Sequence, residues 1–200
     1  MMFLKTTFLL LIFSVNAMAN AGEIDSHPAR LIVKNTTDKT LAAMKESHDA
    51  QQINQLVNEI VVQHFDIEQM SKWSLGKEWD KLDESKQALF ISNFQQLLVN
   101  TYAATLTNFG NNEIDVEHVK QGKNKDIATV PTIVTLANVI PMHINYTMKN
   151  KKNDWKVVDI SISGVSLVRN YRATYASEIR RHGFDALMDK IITKNELAKI

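Results

Sequence analysis

The chain has 200 residues, of which 44% are hydrophobic and 22% charged, with 23 basic and 22 acidic side chains. These values are typical of a globular protein built as one domain, or as one domain with a small helical extension. A formal net charge of +1 leaves no broad basic surface, which argues against a nucleic-acid partner. The absence of cysteine excludes disulfides and a cysteine nucleophile.

Residues 1–19 have the pattern of a secretory signal peptide. Lys5 supplies the positive start, an apolar run covers 8–15, and Ala17, Met18 and Ala19 form a small-x-small cleavage site. The apolar run is too short for a permanent membrane anchor. The chain has no cysteine near the cleavage site, so it lacks the residue at which a lipoprotein is lipidated. We therefore predict that residues 20–200 form a soluble, exported protein.

Apolar residues at helical spacing dominate the first half of the mature chain. After a leader, Pro28 begins a helix that is predicted to end near Lys45, since proline is favoured at a first helical position. A second helix is predicted over 49–64. The apolar residues on one face of this helix follow one another at intervals of three or four residues, as a helix requires. They are Ile53, Leu56, Val57, Ile60 and Val61.

Capping signals divide the next stretch into shorter and longer helices. Asp66 is the predicted N-cap of a short helix that ends at Gly76, followed by a helical piece over 77–82. Asp83 caps the longest helix, about 84–109. One face of this helix is strongly aromatic and carries Phe90, Phe94, Tyr102 and Phe109.

Beyond residue 113 the apolar period changes from 3.6 to 2, which indicates strands. Four strands are predicted, at 114–118, 127–136, 140–148 and 155–163, with a polar hairpin turn at 150–154. Pro131 indicates either an edge strand or a bulge. Short turns between the strands predict an antiparallel meander.

The last strand leads into a helix through Gly164. In this strand Val158 is predicted to share one face with Ile160 and Ile162, opposite to Val157 and Asp159. Ser166 is the predicted N-cap of the helix that follows, which ends at Gly183 before a last short helix. Gly164 is interpreted as a pivot between the sheet and this helix.

The order of elements predicts an α+β protein. Residues 28–109 are helical, 113–163 form a four-stranded curved antiparallel sheet, and 166–195 are helical again. Helices on one face of such a sheet make a cone that can hold a cavity. Residues 20–200 are therefore predicted to be a single domain with a small N-terminal helical subdomain.

Catalytic and metal chemistry find little support in the sequence. His64 and Asp66 are close, but no metal-binding histidine spacing occurs, and His118 and His143 are isolated on strands. The Gly164–Ser166 turn lacks the second glycine of a nucleophile elbow, so Ser166 is better explained as a cap. We predict no metal site and no nucleophilic catalysis.

Two questions stay open from the residues alone. Asp159 interrupts an apolar strand, where it is either a general base of a small cone-shaped isomerase, a partner of Arg169 or Arg172, or a solvent-facing carboxylate. The apolar residues of the long helix and of the sheet either fill a core, as in a plain adaptor protein, or line a cavity for a large apolar ligand. Periodicity does not separate these cases.

Two stretches of the chain are distinctive, HFDIEQMSKWSLGKEWDKLDESKQALFISNFQQLLVNTYA at 64–103 and WKVVDISISGVSLVRNYR at 155–172. They closely resemble the MlaC family, also called the toluene-tolerance family, of periplasmic phospholipid-binding proteins. The most specific marks are Phe65-Asp66, Leu75-Gly76, Trp79, the 98–102 segment, Asp159, Gly164-Val165-Ser166 and Asn170-Tyr171-Arg172. The resemblance covers nearly the whole mature chain.

This resemblance implies a cone like that of nuclear transport factor 2 and a role as a phospholipid shuttle in the Gram-negative periplasm. It implies two protein partners, an outer-membrane lipoprotein–porin complex and the MCE-domain subunit of an inner-membrane ABC transporter, with only transient contact at membranes. The bound phospholipid is cargo, and neither a cofactor nor enzymatic activity is expected. The pocket is then predicted to be lined by Phe90, Phe94, Leu97, Leu98, Tyr102, Val116, Val130, Val134, Ile144, Tyr146, Val158, Ile160, Val165, Leu167 and Tyr171.

Overall fold

The computed structural model describes residues 26–46, 52, 55–106, 113–135 and 140–198. The predicted signal peptide over 1–19, the predicted start of the second helix at Asp49, and Phe109 lie outside these residues.

Helices lie before and after the sheet in the chain, as predicted. They are α1 (Pro28–Glu46), a π-helix (Val57–Val61) continued by a 3-10 helix (Val62–His64), α2 (Ile67–Leu75), a second 3-10 helix (Gly76–Lys81), α3 (Glu84–Leu106) and α4 (Leu167–Leu197). The end of the second predicted helix therefore differs from a plain α-helix. Its backbone is wound first more loosely and then more tightly.

The described strands form one antiparallel sheet. They are β1 (Glu113–Val116), β2 (Lys120–Gln121), β3 (Ile127–Thr135), β4 (Met142–Lys151), β5 (Asp154–Ile162) and β6 (Val165–Ser166). Their order is β1-β3-β4-β5-β6, and β2 also pairs with β3. The α+β class and the antiparallel meander are confirmed, and two strands of two residues join the four that were predicted.

Pro131 lies opposite a bulge rather than on an edge strand. Val116 pairs with Thr132 and Lys120 pairs with Thr129, so the β1–β2 side has one more residue than β3 between these two pairs. The carbonyl of Pro131 accepts from the Glu117 N–H at 2.9 Å. The carbonyl and the nitrogen of a strand residue point to the same side, so the Pro131 nitrogen, which carries no hydrogen, also faces the bulged β1–β2 side. The missing donor therefore costs the sheet no regular ladder bond.

A second bulge changes the faces of β5. Thr147 pairs with Asp159 but the next residue, Met148, pairs with Val157, so Val158 is an extra residue in the ladder. The prediction that Val157 lies on the face opposite to Ile160 is therefore wrong. The bulge places Val157 on the same face as Ile160, because one inserted residue reverses the alternation.

Gly164 belongs to a tight hairpin turn. Ser163 and Gly164 both have positive φ, at 49° and 86°, as a two-residue type I′ turn requires. The chain then runs back along β5 as β6, with Val165 paired to Ile162, before α4 begins. The pivot assigned to Gly164 stays a prediction.

The capping predictions are confirmed. The side chain of Asp66 accepts from the Gln69 N–H at 2.9 Å, and that of Asp83 accepts from the Lys86 N–H at 2.8 Å. Ser166 accepts from the Arg169 N–H at 3.1 Å at the start of α4. Each side-chain oxygen satisfies an N–H that the first helical turn leaves without a partner.

The described part of the chain contains three hydrophobic cores, of which the smallest consists of Met44, Val57 and Val99. The helical core joins the helices after residue 66 and consists of Met70, Leu75, Trp79, Phe90, Phe94, Leu97, Val168, Tyr175, Leu187, Met188 and Ile191. The sheet core lies between α1 and one end of the sheet and consists of Ala29, Val33, Val116, Ala128, Val130, Met148, Trp155 and Val157. The space between the helical core and the sheet core holds the candidate site.

The kink of α4 depends on Gly183, whose φ of 85° and ψ of 170° are non-helical. No atom lies within 4 Å of a Cβ built there, so a side chain would meet only backbone strain. We expect Gly183→Ala to lower the free energy of unfolding by about 1–3 kcal/mol, because this conformation is nearly confined to glycine. Urea denaturation measures the loss.

Gly122→Ala is the matched control, because its φ is not positive and the new Cβ would make an ordinary contact, 3.4 Å from the Ile127 oxygen. If both variants have the stability of the parent protein, the kink at Gly183 does not constrain α4.

Candidate functional site

A large apolar cavity lies between the helical layer and the sheet. Its volume is about 180 Å³. A cavity on the order of 150 Å³ with such a lining stays dry and accepts apolar molecules. The lining residues are Val57, Val61, Val62, Phe65, Ile67, Met70, Gln95, Leu98, Val99, Tyr102, Met142, Ile144, Tyr146, Ile160, Ile162 and Leu167. We call this space cavity 1.

A second cavity, which we call cavity 2, lies between α1 and the same face of the sheet. Its volume is about 110 Å³. The α1 side of its wall carries hydroxyl groups as well as apolar residues. The lining residues are Ile32, Val33, Thr36, Thr37, Thr40, Leu41, Met44, Val61, His64, Phe65, Ile114, Thr132, Val134, Ile144, Tyr146 and Val157.

The two cavities share a wall. Val61, Phe65, Ile144 and Tyr146 line both of them. Phe65 is held in place where the chain leaves the 3-10 helix, because it bridges to Val157 of β5 and the Asp66 N–H donates to the Val157 carbonyl at 2.9 Å. The sheet residues of this wall come from alternate positions of one strand, which places their side chains on the same face.

Fixed charges contribute little to this site. Among the residues that the structure describes, no carboxylate, lysine or arginine side chain lines either cavity. Burial lowers the pKa of His64, which lines cavity 2, and the positive charges of Lys156 and Lys39 lower it further. The imidazole is therefore held neutral at pH 7. Such a lining is suited to an uncharged, apolar ligand.

Part of the predicted pocket is found around these cavities. The predicted residues that line one or both of them are Leu98, Tyr102, Val134, Ile144, Tyr146, Ile160 and Leu167. They come from α3, three strands and the start of α4, so the structure brings together elements that are distant in sequence.

The other predicted residues lie elsewhere. Phe90, Phe94 and Leu97 are fully or almost fully buried in the helical core, with Tyr171 packed against them. Val116 and Val130 belong to the sheet core. Val158 is buried at the bulge of β5, and Val165 is 59% exposed. Phe90 and Phe94 of the aromatic face of α3 therefore contact α4, whereas Tyr102 of the same face lines cavity 1.

Sequence reasoning did not assign the segment before α2 to the site. Val57 and Val61 were recognised as an apolar stripe, but a stripe does not reveal which element covers it. The threonines of α1 that line cavity 2 are not indicated by the apolar periodicity, because threonine does not count as an apolar residue in such a pattern. Met142 and Ile162 continue the alternation of β4 and β5 and could have been included on that ground.

Asp159 has a structural role in this arrangement. Its Oδ2 accepts from the Ser166 hydroxyl at 2.5 Å, and its Oδ1 accepts from the Val168 N–H at 3.1 Å. A carboxylate at a helix N-terminus stabilises the exposed N–H groups and the helix dipole. Asp159 therefore joins β5 to α4, outside the lining of both cavities, and the general-base alternative has no support in its surroundings.

Buried tyrosines make the protein sensitive to high pH. Burial raises the pKa of Tyr146 to about 12 and raises the pKa values of Tyr171 and Tyr175 as well. In the unfolded chain tyrosine ionises near about pH 10, so the folded state retains protons that the unfolded state has lost. Stability is therefore intact below pH 10 and falls as the pH rises towards 12.

We expect Tyr146 alone to account for a loss on the order of 2–3 kcal/mol across this interval. Urea denaturation between pH 8 and 11.5, with tyrosinate absorbance recorded in parallel, measures it. Tyr146→Phe is the control and should show a flatter pH dependence. Titration of all four tyrosines near pH 10 with the fold intact would contradict this account.

Membrane-spanning and metal-binding features are absent from the described part of the chain. Over these residues, no helix is both long and apolar enough to cross a bilayer. Within the same ranges, no three histidine, cysteine, aspartate or glutamate side chains come together as metal ligands.

A sheet covered on one face by helices, with two adjacent cavities between the layers whose described lining residues are mostly apolar, defines the class of small α+β binding proteins with an apolar interior. The chain belongs to the MlaC protein family, whose sequence pattern matches residues 34–193. The resemblance seen in the sequence is thereby confirmed.

Three relatives show how far the similarity extends. An intermembrane phospholipid transport system binding protein, MlaC, of Haemophilus influenzae is 24% identical over 197 residues, which cover 94% of this chain and 92% of the relative. The toluene tolerance protein ttg2D of Pseudomonas putida is 26% identical over 167 residues, or 80% of this chain and 76% of that protein.

The third relative is a solved structure. A phospholipid-binding protein from Ralstonia solanacearum, crystallised in complex with a phospholipid, matches with a TM-score of 0.79 at 26% identity. The match covers 87% of this chain and 100% of that one. The fold is therefore shared over most of the chain. The Haemophilus and Ralstonia relatives are named for phospholipid transport and binding, in agreement with the prediction that the chain is not an enzyme.

Proposed function

We propose that this protein is a soluble phospholipid carrier of the Gram-negative periplasm. The observation that carries the proposal is the pair of adjacent apolar cavities, with a shared wall, between the helices and the sheet. The phospholipid bound by the Ralstonia relative and the transport system named for the Haemophilus relative support it. Residues 1–19 are then a cleaved signal peptide, and residues 20–200 are one phospholipid-binding domain.

The cavities suit acyl tails for a simple energetic reason. Burial of one methylene gains about 0.8 kcal/mol, so the part of a tail that enters one of these cavities gains on the order of 3–5 kcal/mol before the costs of binding. A lipid held in this way leaves slowly by itself. Release therefore requires a partner that binds the emptied or opened protein better than the filled one.

Two cavities with a common wall match a lipid that has two tails joined at one glycerol. We place one tail in cavity 1 and one in cavity 2, with Ile144 and Tyr146 in contact with both. The headgroup then stays in water, because neither lining offers a charged partner for a phosphate. Weak headgroup selectivity follows from this arrangement.

The proposed partners are those of the family's transport route. The carrier would load and unload at an outer-membrane lipoprotein–porin complex and at the MCE-domain subunit of an inner-membrane ABC transporter. The carrier itself needs no nucleotide and no cofactor, since cargo exchange is driven by docking. The lipid-binding residues are proposed to be those predicted ones that line the cavities, from Leu98 to Leu167.

Native purification followed by organic extraction and mass spectrometry tests the proposal. We expect about one diacyl phospholipid for each protein, the number that two adjacent tail cavities accommodate. Absence of co-purified phospholipid, together with failure to load added lipid, would refute the carrier function. Purification in parallel of a periplasmic protein without an apolar cavity controls for lipid carried over from membranes.

A further inference from the structure

The end of the sheet opposite to Met142 and Ile162 carries a concentration of lysines. The segments 120–126 and 149–156 contain seven lysines and two aspartates, a net charge of +5, whereas the whole chain has a net charge of +1. A local field of this size attracts anions although the protein as a whole is nearly neutral.

Backbone pairing places the two segments side by side. Ile127 pairs with Lys149, and the Asn150 N–H donates to the Asp126 carbonyl at 2.8 Å. The side-chain amide of Gln121 donates to the carbonyls of Asn124, Lys125 and Ile127, which closes the turn that presents Lys123 and Lys125. The lysines thus project from two ordered turns rather than from unrelated places.

Three of the seven lysines have partners in the helical layer. The ammonium groups of Lys149 and Lys156 donate to Gln69 Oε1 at 3.1 Å and to the Gln63 carbonyl at 2.8 Å. Lys151 forms an ion pair with Asp66 at 2.6 Å. These contacts fasten the hairpin to the molecule.

The other four lysines form the surface that we call the lysine-rich end, and they are Lys120, Lys123, Lys125 and Lys152. All four are exposed, and none takes part in an ion pair with the described residues. Their charges are therefore available to an external anion.

The surroundings of the lysine-rich end indicate the kind of partner. The large hydrophobic side chains that are exposed in the described part of the chain all lie elsewhere, at Leu31, Leu89, Ile140, Val165 and Leu197. A specific protein interface needs a dry core of apolar or aromatic residues and is usually poor in lysine. A bilayer with anionic lipids requires only positive charge near its surface.

We propose that the lysine-rich end binds the headgroup surface of an anionic phospholipid bilayer. In this orientation the opposite end of the sheet, where β4 begins and β5 ends beside cavity 1, points away from the membrane. A protein partner can then reach the cargo site while the carrier is held at the membrane. Binding through lysines alone is reversible and salt-sensitive, which suits a shuttle.

Co-sedimentation with vesicles tests this surface. Wild-type protein is incubated with phosphatidylcholine vesicles that contain or lack phosphatidylglycerol, at low salt and at high salt. We expect binding only to the anionic vesicles and only at low salt. Replacement of Lys123, Lys125 and Lys152 by glutamate should weaken this binding about tenfold or more, because each lysine near an anionic surface contributes to the attraction.

The matched control replaces Lys77, Arg180 and Lys194 by glutamate, which changes the net charge equally at exposed positions outside the lysine-rich end. It should bind anionic vesicles nearly as well as wild type. An equal loss in both triple variants, or no vesicle binding by wild type at low salt, would overturn the proposal. Lipid co-purified with each variant is measured separately, so a failure of cargo binding is distinguished from a failure of vesicle binding.

Discussion

Ile144→Trp is expected to remove bound lipid from the protein while the fold is retained. Ile144 projects from β4 into the wall that both cavities share. An indole there occupies space that both tails need, so lipid content should fall below about a tenth of the wild-type value, at a cost in stability of about 1–3 kcal/mol from overpacking. Mass spectrometry of extracted lipid and urea denaturation measure the two effects.

His143→Trp is the matched control for this experiment. His143 precedes Ile144 in the same strand, is exposed, and therefore lies on the opposite face of the sheet. It should leave the lipid content unchanged. If folded Ile144→Trp protein retains the full amount of lipid, the tails do not lie where the two cavities meet.

Phe94→Ala is expected to have the opposite pattern, with a large loss of stability and no direct effect on lipid. The Phe94 ring is fully buried, 5.5 Å from the ring of Phe90 and edge-on to Tyr171 at 5.2 Å. Loss of a buried phenylalanine ring costs about 3–5 kcal/mol, because transfer energy and packing are both lost. Urea denaturation measures this cost.

Two further variants make the result decisive. Leu89 lies on the same helix as Phe94, and its side chain is 46% exposed. The Leu89→Ala substitution should therefore change the free energy of unfolding by less than about 0.5 kcal/mol. Phe94→Leu removes less volume and provides folded protein for the lipid measurement. A clear fall in lipid content with Phe94→Leu would return Phe94 to the cavity wall, as the sequence pattern first suggested.

The features that sequence analysis predicted well are those with local causes. Asp66, Asp83 and Ser166 cap helices because each side chain reaches an N–H of its own first turn, and such a contact depends only on neighbouring residues. The break at Gly183 and the hairpin turn after Lys151 are local in the same sense. Their geometry follows from a few backbone angles, so the residue types alone indicate it.

The cavity wall was predicted only in part because it depends on contacts between distant elements. Period 3.6 identified the aromatic face of α3 but not whether that face meets α4 or the sheet. Period 2 identified the core face of β5, yet one inserted residue at Val158 exchanged the faces of its two ends. A packed core and a lined cavity have the same apolar pattern, and only the distance between layers separates them.

The segment Val57–His64 forms part of the wall of both cavities and has the least regular helical winding of the described chain. Its amide hydrogens are expected to exchange with deuterium faster than those of α3 and α4, because such winding has weaker hydrogen-bond geometry. Because the segment lines both cavities, its local opening would expose them without unfolding of α3 or α4. Under the proposed carrier function, the energy barrier of a lipid transfer would then be separate from the barrier of global unfolding.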